Sequence, residues 1–226
     1  MTPMQRTVAA RLGLAVLGAA VITASAGAAP GDPERRDIRP ADQAWAARAN
    51  LRAADIPPGY VATRSGTKPN SAPLRCSGFQ PDLSDLTITG EARSPAFQSR
   101  TGTTILSAAE VYVSFHDERE SWRRTARREA LRCVKRLMEQ ISSQNVRVEV
   151  TSSTVRAAPR VGERSVSFRI VAKVTTQGVT IAAWFDLLGV SRGRADATLM
   201  TSTVLNPPSA ALERNLLGKL ARRLKR

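Results

Sequence analysis

Ser165-Val166-Ser167-Phe168-Arg169-Ile170-Val171-Ala172-Lys173-Val174-Thr175 runs through Thr176-Gln177-Gly178 into Val179-Thr180-Ile181-Ala182-Ala183-Trp184-Phe185-Asp186-Leu187. Val166, Phe168, Ile170, Ala172 and Val174 share one parity and Arg169 and Lys173 the other, the alternation of a strand that buries one face. Gln177-Gly178 supplies a two-residue hairpin turn, since glycine accepts the positive φ that such turns demand. Val179, Ile181, Ala183, Phe185 and Leu187 continue the pattern in a second strand, with Trp184 on its opposite face. Upstream, Val146, Val148 and Val150 alternate with Arg147 and Glu149; downstream, the turn Arg192-Gly193-Arg194 leads to a last strand over 195–205. These four consecutive strands form an antiparallel meander.

Before the meander, Ile105, Ser107, Ala109, Val111, Val113 and Phe115 again share one parity and predict a strand from Thr104. His116-Asp117-Glu118-Arg119-Glu120 then offers Asp117 as helix N-cap with Glu120 three residues on. The helix should run unbroken to about Gln140. On its wheel Trp122, Ala126, Ala130, Cys133, Leu137 and Ile141 form the buried stripe. Arg124, Arg128, Arg132 and Arg136 fall opposite, as a continuous outward basic ridge that Glu120 and Glu129 compensate in part.

At the ends the signals change. Arg6 and Arg11, the apolar run Leu12 to Ala24 and the small residues through Ala29 read as a signal peptide over residues 1–28, cut after Ala26 or Ala28. Residues 29–39 read as a disordered charged linker in which Asp32 and Asp37, like the nearby Asp42, are solvated. Residues 40–226 then form a single α+β domain. Trp45, Ala49, Arg52 and Ile56 predict a short helix over 40–55 that Pro57-Pro58-Gly59 stops. Residues 60–103 read as loop with one or two short strands. Asn206-Pro207-Pro208 opens a terminal helix carrying Leu212, Leu216, Leu220 and Leu224.

Composition narrows the chemistry. With 34 basic and 19 acidic side chains, 29 of the basic ones being arginine, the net charge is +15. That field favours polyanions, although an arginine-rich composition alone would also produce it. Aromatics at 4% oppose a base-stacking surface, so no nucleic acid is expected as partner. A single His, two Cys and no acidic cluster along the chain remove most metal sites and His-based catalytic sets, and no cofactor or metal is expected. Cys76 and Cys133, an even pair in an exported chain, are expected to form one structural disulfide. No stretch after the signal peptide is long and apolar enough to span a membrane.

The order of elements resembles PknH-like extracellular sensor domains of actinobacterial exported proteins. Four segments carry the likeness: Ser107-Ala108-Ala109-Glu110-Val111-Tyr112-Val113, the helix from Trp122 through Cys133, Val161 through Arg169, and Arg192-Gly193-Arg194-Ala195-Asp196-Ala197. The resemblance implies a twisted antiparallel sheet with helices packed on it, a PsbP-like sandwich, and a cleft for an unidentified ligand. It departs from that family in lacking a second Cys pair and a kinase.

Function is therefore expected to be that of a secreted, non-enzymatic binding or sensor-like domain of the cell envelope. Its partner would be an anionic envelope component or a small ligand, and its ligand-binding candidates are Arg124, Arg128, Arg132, Arg136 and Trp184. Two alternatives stay open: an extracytoplasmic hydrolase using His116, and a structural protein–protein interaction module.

Overall fold

The meander is the body of the fold. In this computed structural model, which describes residues 34–63, 75–140, 142–143 and 145–225, it comprises β6 (Val146–Val155), β7 (Arg164–Thr176), β8 (Val179–Arg192) and β9 (Ala195–Val204). The β7–β8 turn has Gln177 and Gly178 at φ 50° and 76°, the left-handed pair that a two-residue hairpin requires. The predicted signal peptide lies outside the described residues.

Five further strands extend the sheet: β1 (Arg35–Arg36), β2 (Tyr60–Thr63), β3 (Thr87–Arg93), β4 (Ala96–Ser99) and β5 (Thr104–Tyr112). The main order is β1-β3-β5-β9-β8-β7-β6, with β4 joining β5 and β2 joining β4. Every pairing is antiparallel except β1 with β3, so the sheet is mixed at that edge. The described residues of 60–103 thus hold three strands, more than their Ser, Thr, Pro and Gly content suggested. The short strands are held by pairing with β5 and with one another rather than by a long apolar period of their own.

The linker reading also changes. Described residues 34–39 are ordered on the sheet edge, with Arg35, Asp37 and Arg39 donating backbone N–H bonds to the carbonyls of Leu86, Ile88 and Thr89.

Helices α1 (Pro40–Ala49) and α4 (Ala210–Arg223) cover one face of the sheet, and α2 (Phe115–Thr125) and α3 (Arg128–Gln140) part of the other. Pro40 begins α1, where a missing N–H costs nothing. The helix stops at Asn50, whose side chain ties back to the Ala46 carbonyl, and residues 53–55 form a separate 3-10 turn. Helix α4 is capped by Ser209 rather than Asn206. Trp45, Ala46, Leu51, Ile105, Leu199, Leu216, Leu217 and Leu220 form the main core beneath α1 and α4. A second cluster joins Leu131 and Met138 of α3 to Val148, Phe168 and Ile170.

The helix expected to run from Asp117 to Gln140 is two helices. Ser114, not Asp117, is the N-cap: its hydroxyl accepts from the Asp117 N–H and donates to the Asp117 carboxylate, whose other oxygen accepts from Thr87 N. The break falls at Ala126-Arg127, after Thr125 spends its hydroxyl on the Ser121 carbonyl. Bending there lets Trp122 rest on Gly189 of β8 while Leu131 and Met138 reach β6 and β7. A Cys76–Cys133 disulfide, with Cα atoms 5.6 Å apart, ties α3 to the loop before β3. Among the described residues, no helix is long and apolar enough to cross a membrane.

Candidate functional site

The break in the helix divides the arginine ridge. Arg124, on α2, is locked in place: its guanidinium holds Asp85 with two bonds of 2.5 and 2.9 Å, donates to the Asp82 carbonyl and touches Glu120 at 3.4 Å. Its hydrogen bond to Asp85 lowers that carboxyl's pKa and raises its own. Arg128, Arg132 and Arg136 remain together, four residues apart and exposed along α3. Glu129 approaches Arg132 only at 3.8 Å, and Arg136 donates to the Ser77 carbonyl, which leaves its charge uncompensated. No carboxylate lies within ion-pair distance of Arg128 or Arg136 among the described residues.

Beside the elbow lies an open cleft of about 690 Å³ between residues 78–85 and the α2–α3 junction. Arg123, Arg124 and Arg127 line it, but so do Asp82, Asp85 and Glu129, so its charges balance. Arg123 is engaged by Glu120 at 2.6 Å, and Arg127 Nε donates to the Arg123 carbonyl.

Other expected residues lie elsewhere. Trp184 sits half-buried on β8, opposite Thr203, far along the sheet from the elbow and on the face that α4 covers. Trp45 is core, its Nε1 donating to the Arg223 carbonyl. His116 is exposed in the first turn of α2.

Asp42 is not solvated. It is only 3% exposed and takes two bonds from Arg194, at 2.6 and 2.9 Å, while the Arg194 guanidinium lies 5.2 Å from the Trp45 ring centre. Asp186 similarly holds both Arg156 and Arg169, and Arg156 reaches on to Glu213.

The structure also assembles the acidic cluster that the chain does not show in sequence. Glu91, Glu110 and Asp196 are direct cross-strand partners on β3, β5 and β9, so three carboxylates stand side by side on one face. Like charges directly opposite one another destabilise a sheet. Glu91 has Arg36 at 3.3 Å, and Glu110 accepts from the Tyr112 hydroxyl at 2.9 Å. No cation pairs with Glu110 or Asp196 among the described residues. Glu34, just before β1, is 8% exposed, and its Oε2 has no hydrogen-bond partner. Burial first, and the Glu110 charge second, push its carboxyl up to about 7. Burial and the neighbouring carboxylates also raise the pKa values of Glu110 and Asp196. The available sequence signal was a single acid in each of two otherwise neutral strand faces, Leu106-Ala108-Glu110 and Asp196-Thr198-Met200.

Neither the protein-family models nor the curated proteins contain a match to this chain.

Proposed function

We propose that this is an exported, non-catalytic binding domain that attaches to an anionic component of the cell envelope through the outer side of α3. The observation that carries the reading is the row Arg128, Arg132 and Arg136. They are exposed, their backbone positions rise about 6 Å from one to the next along the helix axis, and one distant carboxylate lies among them. Such a row can bind successive phosphates or sulfates bidentately. The export-type N-terminus and the likeness to PknH-like sensor domains support the compartment. Arg124 leaves the site, because Asp85 and Glu120 already occupy its donors.

The test is retention of the protein on isolated envelope material across a salt series. Retention should fall steeply with salt, and the triple change Arg128→Gln, Arg132→Gln, Arg136→Gln should abolish most of it at low salt. Arg124→Gln should leave retention unchanged. A triple variant retained like the parent overturns the reading.

A further inference from the structure

The cleft at the α2–α3 junction holds charges that its own neighbours leave uncommitted, one sign on each wall. Most of its ionic groups are engaged internally. Arg124 gives its guanidinium to Asp85 and to the Asp82 carbonyl, both Asp85 oxygens accept from Arg124, and Arg123 is held by Glu120. Arg127 differs. Its Nε donates to the Arg123 carbonyl, which fixes the exposed guanidinium by one corner, and no carboxylate lies within ion-pair distance of it among the described residues. Glu129, on the same wall, approaches Arg132 at 3.8 Å and does not pair with Arg127.

On the facing wall Asp82 uses only one oxygen. Its Oδ1 accepts from the Ser84 N–H at 3.0 Å and from the Ser84 hydroxyl at 2.8 Å. These bonds, the backbone one first, lower its pKa, so the carboxylate is charged at neutral pH. Its Oδ2 has no hydrogen bond or ion pair among the described residues.

The two walls are fixed to each other. The Cys76–Cys133 disulfide and the Arg124–Asp85 ion pair join them, Cys76 and Phe79 bond each other through their main chains, and Phe79 packs on Ala130 and Cys133. A preformed site saves a ligand the cost of ordering it. The volume, about 690 Å³, lies inside the range of about 300 to 1,000 Å³ in which small-molecule sites fall. Phe79 and Pro81 give the lining an apolar part, and Gln80 adds an amide that can both donate to and accept from a peptide bond.

We propose that this cleft binds a short peptide with both ends free, its carboxylate on Arg127 and its ammonium group on Asp82. An anion alone would meet Asp82, Asp85 and Glu129, and a cation alone would meet Arg123 and Arg127. A ligand with one charge of each sign at its two ends satisfies both walls. A guanidinium can hold a carboxylate with two parallel bonds, and an ammonium group, with three donors and no acceptor, suits a carboxylate. The site shares no residue with the row Arg128, Arg132 and Arg136 and does not depend on it.

The test is calorimetric titration of the protein, its disulfide intact, with trialanine, beside N-acetyl-trialanine, which lacks the cation, and trialanine amide, which lacks the anion. Trialanine should bind, and each blocked form should bind about tenfold more weakly or worse. Arg127→Gln should weaken trialanine by about the same factor and bring it level with the amide. Asp82→Asn should bring it level with the acetylated form. Both side chains are exposed, so both variants should melt with the parent, which separates loss of ligand from loss of fold. If a variant does not fold, the three peptides on the parent still decide. No binding of trialanine, equal binding of the three peptides, or unchanged trialanine affinity in either folded variant overturns the proposal.

Discussion

The two faces of the sheet differ in how completely their acids are paired. Beneath α1 and α4, each buried acid has a guanidinium: Asp42 has Arg194, Asp186 has Arg156 and Arg169, Asp55 has Arg223, and Glu213 shares Arg156. Across the sheet, Glu118 of α2 is also sealed and held by Arg164, whereas Glu110 and Asp196 stand side by side with no cation within ion-pair distance among the described residues. Acids sealed into a core must be paired, because a lone charge there loses its hydration and gains nothing in return. Glu110 and Asp196 are half-buried, where water can still reach a carboxylate. The face beneath α1 and α4 is thus the sealed one, and the other, where Leu106, Ala108, Thr198 and Met200 are half-buried, the more open.

The sharpest way to break this contrast is Arg194→Met. It takes the guanidinium from buried Asp42, which keeps the Thr89 hydroxyl, and should cost about 3 to 5 kcal/mol in urea denaturation; a loss within error of zero would show that the sealed face does not need this ion pair. Reducing the Cys76–Cys133 bond frees α3 from the loop before β3. With the cysteines 57 positions apart in sequence, unfolded-state entropy alone predicts a loss of about 4 kcal/mol, read as a shift in the urea midpoint.

The pH response separates the faces next. Glu34 on the open side and Glu213 on the sealed side are both pushed up to about 7, mainly by burial. Because their folded pKa values exceed the unfolded 4.5, the folded chain keeps protons that the unfolded chain releases. Their contribution is therefore complete below about pH 4.5 and is lost as pH rises towards about 7, on the order of 3 kcal/mol per group. Stability measured at pH 5 should exceed that at pH 8. Glu34→Gln and Glu213→Gln should each remove part of the slope, and a flat profile would contradict both assignments.

The smallest test uses two glycines. A methyl group on Gly90 would meet the backbone of Asp42 in α1, which cannot yield, whereas on Gly189 it would meet the side chains of Val166 and Trp122 at 3.0 and 3.1 Å. Gly90→Ala should cost about 3 kcal/mol and Gly189→Ala about 1 kcal/mol. Equal melting temperatures for the two variants would mean that the open face is packed as rigidly as the sealed one.

Much of this architecture was legible beforehand. The parity of Val166 to Val174 and of Val179 to Leu187, the glycine at the β7–β8 turn and the lone cysteine pair led directly to the meander, the α+β class and the disulfide. The readings of Asp42, of residues 34–39 and of the helix from Asp117 failed for one reason: each concerned an element that depends on its neighbours. Asp42 looked solvated because its partner, Arg194, is distant in sequence. Residues 34–39 looked like a linker because their hydrogen bonds go to β3. The helix from Asp117 looked continuous because its apolar period hardly falters at Ala126-Arg127, where the demands of two parts of the sheet bend it.

The amino-acid sequence by itself determined the strands, the turns and the charge of this protein, since those follow from local periodicity, backbone preference and counting. Only the tertiary structure decided which charges are paired, which arginines remain a row, and that Glu91, Glu110 and Asp196 stand side by side. Pairing and repulsion are distance-dependent energies between residues far apart in the chain, and register across the strands sets those distances.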